Sequence, residues 1–245
     1  MKITHDVLSI LSRARTDGLR LHLFEELDQS QFLAVDQVLK AAGAAWNRRA
    51  AAHVFPGDAR ESVEALLLTG EVTGPQDFGC LPTPAPVVEE LLSLADLRAG
   101  HEVLEPSAGQ GAIAAEAALI CTVDCIELLA DNARHITAAG YARTVTVADF
   151  LAVPAEQRYD RVVMHPPFAC QADIAHVTHA LAFLRPHGRL TAVMSDSLAF
   201  RTNARTANFL ALVDRRGGQI SLLPDGAFKA SGTGVRVVLV TIPAL

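Results

Sequence analysis

A doubly wound α/β domain is the fold this sequence predicts, on three observations. Short apolar runs alternate with helical segments from residue 85 onward, a glycine-bearing turn follows the first run, and the last two runs are joined without a helix. Helix 87–94 precedes strand 101–104, His101-Glu-Val-Leu104. Helix 110–120 leads to strand 123–126, and helix 130–139 to strand 145–147. Arg161-Val-Val-Met164 is the fourth strand, followed by helix 174–184, strand 190–194, helix 204–215 and the closing strands 219–222 and 235–242. Strands separated by helices must lie parallel, because right-handed crossovers cover both sheet faces. The last two strands share only a loop, so they pair as an antiparallel hairpin.

Residues 1–75 read as a small, mainly helical module, and residues 76–245 as the α/β domain. Thr4 caps a helix carrying Val7, Leu8, Ile10 and Leu11, and Asp28 or Ser30 caps one carrying Phe32, Leu33, Val35, Val38 and Leu39. Asp58 opens a third through Val63, Leu66 and Leu67, which Gly70 ends. Between the second and third lie Ala45-Trp-Asn-Arg-Arg49 and a short strand-like His53-Val-Phe55. A Gly/Pro-rich stretch, 74–86, links module to domain.

With 245 residues, half of them hydrophobic, the chain can bury a substantial core. Its net charge of −6 argues against a surface made mainly to hold polyanions and leaves room for a local basic patch. Cys80, Cys121, Cys125 and Cys170 form no CxxC pair or Cys/His ligand spacing, so they read as buried thiols in a reducing cytoplasm, and no metal is expected. The N-terminus lacks the pattern of a signal peptide and no apolar stretch spans a bilayer, which predicts a cytoplasmic protein without a membrane partner.

Two strings carry the chemistry. In Glu105-Pro106-Ser107-Ala108-Gly109-Gln110-Gly111, the glycines after the first strand permit an unusual turn and close approach of a nucleoside cofactor, and Glu105 faces it. Glu127 ends the second strand, where an acidic side chain accepts from ribose hydroxyls. Asp149-Phe150, after the third, is placed to accept from an adenine amine and to cover the ring. A lone carboxylate at a strand end is most often a helix cap, so it is the succession of strand ends that carries the reading. A nicotinamide fingerprint tolerates Ala114 at its third glycine position. It leaves the second string, His165-Pro166-Pro167-Phe168, unexplained.

On these residues, with Thr83-Pro84 and Phe228, residues 80–243 resemble the class I S-adenosylmethionine-dependent methyltransferases, and within them the amino-methyltransferases that modify adenine N6 in DNA. The resemblance implies a Rossmann-like methyltransferase sheet of order 3-2-1-4-5-7-6 with an antiparallel last strand, S-adenosyl-L-methionine as cofactor, and DNA as partner. It implies Thr83, Glu105, Pro106, Ala108, Gly109, Gly111, Glu127, Asp149 and Phe150 at the cofactor. It also implies catalysis by the loop His165–Phe168: the Pro166 carbonyl and the residue-165 side chain accept the amine protons, Phe168 stacks on the base and Phe228 closes its other side. A duplex base would first be flipped out. Related enzymes use similar loops on RNA bases and protein glutamine, and a non-catalytic accessory subunit is a further alternative.

The family has Asn, Asp or Ser where this chain has His165. A neutral imidazole offers one acceptor nitrogen and becomes donor-only on protonation near its ordinary pKa of about 6.5. The sequence therefore predicts a rate that falls as pH drops through that value, and turnover retained or raised in His165→Asn. Arg201, just past the fifth strand, is the candidate for a substrate rim. Trp46-Asn-Arg-Arg49 reads either as a nucleic-acid contact or as a packed Trp at a helix end beside solvated arginines. His176, His179 and His187 do not make a metal set.

Overall fold

The structure is a computed structural model that describes residues 1–24, 26–72, 82–224, 227–228 and 235–244. Its N-terminal part contains α1 (His5–Arg13), β1 (Arg15–Asp17), β2 (Arg20–His22), α2 (Gln29–Ala41), β3 (Ala45–Asn47), β4 (Ala52–Val54) and α3 (Ala59–Thr69). Asp28 caps α2 in a reciprocal capping box with Gln31, and Asp58 caps α3 by accepting from the Arg60 and Glu61 amides. Gly70 closes α3 in the left-handed region, at φ 64°.

Beside its three helices this part also contains an antiparallel sheet, built from the short strands in the order β1-β2-β4-β3, which was not expected. Trp46 accordingly lies on β3, in register with His53, and not at a helix end. The apolar faces of the three helices meet over Leu8, Leu11, Leu21, Val35, Leu39 and Leu67, and Phe200 from the larger domain is buried in the same cluster. The boundary expected at residues 75/76, most of the 74–86 stretch and Cys80 lie outside the described residues.

The larger part runs α4 (Ala85–Ala95), β5 (Glu102–Glu105), α5 (Ala112–Ala117), β6 (Thr122–Glu127), α6 (Ala130–Ala139), β7 (Thr144–Val147), β8 (Tyr159–Met164), α7 (Ala172–Ala180), β9 (Leu184–Ser195), α8 (Ala204–Arg215), β10 (Gln219–Leu222) and β11 (Val237–Pro243). Its seven-stranded sheet has the order β7-β6-β5-β8-β9-β11-β10. Counted from β5 as strand one, that is 3-2-1-4-5-7-6. Strands β5 to β9 pair parallel, and β11 runs antiparallel to both its neighbours. The sheet is covered on both faces by apolar clusters, one around Val162, Leu190 and Val240, the other around Leu91, Val103 and Val193. Pairing of Glu105 with Cys125 and of Glu127 with Val147 brings the carboxyl ends of β5, β6 and β7 to one edge.

Asp124 is among the charged residues buried in this core. Asp124, inside β6, receives Arg143 and Thr144 and, at 3.1 Å, the Tyr159 hydroxyl. Burial pushes its carboxyl up, but the hydrogen bonds from Arg143 and Thr144 outweigh that and hold it below its ordinary value. The thiols also depart from expectation: Cys125 is buried, but Cys121 is half-buried and Cys170 exposed. Among the described residues no helix is long and apolar enough to cross a membrane.

Candidate active site

A cavity of about 660 Å³ opens at the carboxyl edge of the sheet. Its wall includes Thr83, Glu105, Pro106, Ala108, Gly109, Gly111, Glu127, Asp149, Phe150 and the whole His165–Phe168 loop. Residues up to 94 positions apart, from Pro82 to His176, thus converge on one space.

The turn after β5 is held from both sides. The Ala108 amide donates to the Ile126 carbonyl at 3.1 Å and the Gly111 amide to the Ala108 carbonyl at 2.7 Å, pinning the turn to the neighbouring strand. Glu127 braces it further, accepting from the Gly109 amide at 2.7 Å and from the Leu129 amide at 2.8 Å. The two glycines have different reasons to be glycine. Gly109 (φ 53°) has open space where a Cβ would stand, whereas a Cβ on Gly111 (φ 84°) would collide with the Tyr141 hydroxyl. Close packing of Tyr141, whose hydroxyl donates to the Gly111 carbonyl at 3.2 Å, explains the second glycine.

Glu105 is 1 % exposed, and its Oε2 has no hydrogen-bond partner among the described residues. Burial raises its carboxyl well above the usual range, with Glu127 adding to the rise against a hydrogen bond from the Ala114 amide. A buried orphan oxygen in a cavity wall calls for a cationic or N–H donor from a ligand. Together with the open ground beside Gly109, it fits a nucleoside carrying an ammonium group.

At the other end, Thr83 Oγ1 lies 2.9 Å from His165 Nδ1. The imidazole packs between two phenyl rings, tilted against Phe168 at 5.1 Å and edge-on to Phe228 at 5.3 Å between centroids. That apolar sandwich pushes its pKa down to about 4 by desolvation, so the ring is neutral at physiological pH. The midpoint expected for a rate that depends on this ring moves down with it.

Three further placements differ from the sequence reading. Phe228 is fully buried against His165 and is not part of the cavity wall, because the imidazole, bulkier than a carboxamide, fills the space between the rings. Phe150 is 3 % exposed and packs among His179 and Phe183, so little of its ring is left to cover a ligand. Arg201 is absent from the wall and forms a buried ion pair with Glu64 at 2.8 Å. The wall also contains residues that sequence reasoning missed: Asn132, His135, Tyr141 and His176. Asn132 and His135 share one face of α6 at i, i+3, which was the available signal.

Sheet order and cavity together define a Rossmann-like methyltransferase fold. No family model matches the chain. A release factor glutamine methyltransferase of Bordetella pertussis is 30% identical over 208 residues, covering 78% of this chain and 70% of that protein. Among solved structures, a Listeria monocytogenes protein assigned to the class I S-adenosylmethionine-dependent methyltransferases superposes with TM-score 0.57, at 13% identity over 98% of this chain and 79% of its own. TrmN from Thermus thermophilus gives TM-score 0.50 at 24% identity over 65% of this chain, which spans about half, 48%, of that protein. The chain belongs to the S-adenosylmethionine-dependent methyltransferases, and S-adenosylmethionine is its cofactor.

Proposed function

We propose that this methyltransferase acts on an exocyclic amino nitrogen, and specifically on adenine N6 in DNA. The observation that carries the reading is the neutral, tethered imidazole of His165 at the wall of the cofactor cavity, in front of a diproline. An exocyclic amine has a delocalised lone pair and becomes nucleophilic when fixed acceptors draw its N–H protons out of plane. In the tautomer whose Nδ1–H donates to Thr83 Oγ1, Nε2 keeps its lone pair, and nothing among the described residues hydrogen-bonds to it. It would accept a hydrogen bond from one amine N–H and the Pro166 carbonyl one from the other, and the single proton released after methyl transfer would leave through the imidazole, the product keeping its second N–H. Proline stiffness holds the two acceptors at a set angle, and such orientation is a large part of rate enhancement.

When bound, the cofactor supplies an electrophilic sulfonium methyl group. Glu127 would accept from its ribose hydroxyls, Gly109 would leave room for it, and the orphan oxygen of Glu105 would receive its ammonium group. Asp149, which caps the turn after β7 by accepting from the Leu151 amide at 3.0 Å, has lone pairs left for the adenine amine. Phe168, 2 % exposed beside His165, must swing outward to stack on a target base.

The similarity to a release factor glutamine methyltransferase favours a second reading, transfer to a protein amide nitrogen, by the same acceptor geometry. Incubating the protein with methyl-labelled cofactor and unmethylated DNA, RNA or protein decides between them. Label in the DNA fraction supports the first reading, label confined to RNA or protein refutes it, and no transfer to any acceptor supports an accessory, non-catalytic role.

A further inference from the structure

The loop that carries His165 ends in strained backbone. Cys170 (φ 56°) and Gln171 (φ 60°) are consecutive non-glycine residues in the left-handed region, a conformation that persists only where the surroundings impose it. Gln171 is held from the larger domain: its Nε2 donates to Thr206 Oγ1 at 2.7 Å, and its Oε1 accepts from Asn203 Nδ2 at 2.8 Å. Cys170 is held from the N-terminal part. Its amide donates to Glu64 Oε1 at 3.0 Å, and the Arg60 guanidinium lies 2.9 Å from its thiol.

The same Glu64 oxygen accepts from Arg201 at 2.8 Å, with both side chains largely withdrawn from solvent. A charge-assisted hydrogen bond in such surroundings is stronger than a neutral one, and losing either partner strands the other's charge. Phe200, next to Arg201, is buried in the N-terminal core, so α3 cannot shift without disturbing this junction.

We propose that Glu64 is a positioning residue for the His165–Phe168 loop. From α3, its carboxylate fixes the left-handed turn at Cys170 two residues past Phe168 and so sets where the acceptor atoms stand. The N-terminal part would then serve the chemistry by bracing the loop from behind. The role of that loop in amine activation rests on the function proposed above, but the bracing itself is measured without turnover.

Amide hydrogen exchange on the full-length protein tests it. In Glu64→Ala, amides of segment 165–171 should exchange about ten-fold faster than in the parent, with exchange in β5 and β6 and affinity for S-adenosylhomocysteine unchanged. Glu64→Gln, which keeps an acceptor for the Cys170 amide, should recover much of the protection. Unchanged exchange in 165–171, or acceleration spread over the whole chain, overturns the proposal, since the second outcome marks a merely structural residue. In the transfer assay Glu64→Ala should lower kcat and leave KM for cofactor in place. A loosened loop with full kcat would likewise refute a positioning role. Absence of transfer by the parent protein would count against the proposed function, and the exchange result would still decide the brace.

Discussion

Thr83 and His165, 82 positions apart in the chain, meet at 2.9 Å between Oγ1 and Nδ1, which leaves Nε2 as the ring nitrogen without a hydrogen bond among the described residues. Thr83 comes from the segment preceding α4 and His165 from the end of β8, so the pair also ties that segment to the acceptor loop. Thr83→Val preserves shape and removes the tether. We expect kcat to fall by about ten-fold, the loss of one hydrogen bond that orders a reactive group, with a smaller loss of cofactor affinity because Thr83 also lines the cavity. Measuring kcat alongside calorimetric binding of S-adenosylhomocysteine checks both halves of this expectation.

Burial between Phe168 and Phe228 sets the pH response. With its pKa pushed down to about 4, His165 keeps its acceptor lone pair through the neutral range and loses it only on strong acidification. The rate should therefore stay level as pH is lowered from about 8 to about 5, where an unperturbed histidine would already have titrated. Because the folded protein disfavours the imidazolium, the stability this group contributes is present above the ordinary value of about 6.5 and is lost as pH falls toward the lowered one. NMR titration of the imidazole should give a midpoint near about 4, and a midpoint near the ordinary value would remove the desolvation argument.

Gly109 and Gly111 should respond differently to alanine. At Gly111 the new Cβ meets the Tyr141 hydroxyl, so Gly111→Ala should lower stability by about 1–3 kcal/mol through strain and displacement of Tyr141. At Gly109 nothing in the protein is in the way, so Gly109→Ala should cost about 1 kcal/mol for its positive φ and show its main effect as weakened cofactor binding. Melting temperature and S-adenosylhomocysteine affinity, measured for both variants, separate the two.

Glu127 supports the glycine turn as well as facing the cavity. Both of its oxygens accept backbone amides, and Glu127→Gln would turn an NH2 group toward one of those donors. Affinity for S-adenosylhomocysteine should drop by about 10- to 100-fold, more than loss of a single ribose contact would give. An affinity equal to that of the parent would show that the carboxylate is dispensable to the turn.

Much of this architecture was legible because α/β crossovers impose strong periodicity. Helices α6 and α8 and strand β10 fall at 130–139, 204–215 and 219–222, as alternation predicts. The strands β1 and β2 were not legible: Arg15-Thr-Asp17 and Arg20-Leu-His22 are three residues each and mostly polar, and only pairing across the tight Gly18 turn reveals them. At the site, the strand-end carboxylates and the diproline loop announced themselves by position. Tyr141 did not, because its role depends on how closely α6 packs on the turn, and Arg201 misled because an arginine past a strand end looks alike whether it faces ligand or a buried Glu64. Asp124 could have been noticed, since a carboxylate inside an otherwise apolar parallel strand must find partners.

Nucleoside analysis of unmethylated DNA after incubation with methyl-labelled S-adenosylmethionine tests the central claim most directly. The account predicts label in N6-methyladenine, abolished when the acceptor loop is disabled by His165→Ala. Label in any other nucleoside, or DNA without label while a protein or RNA acceptor carries it, would contradict it.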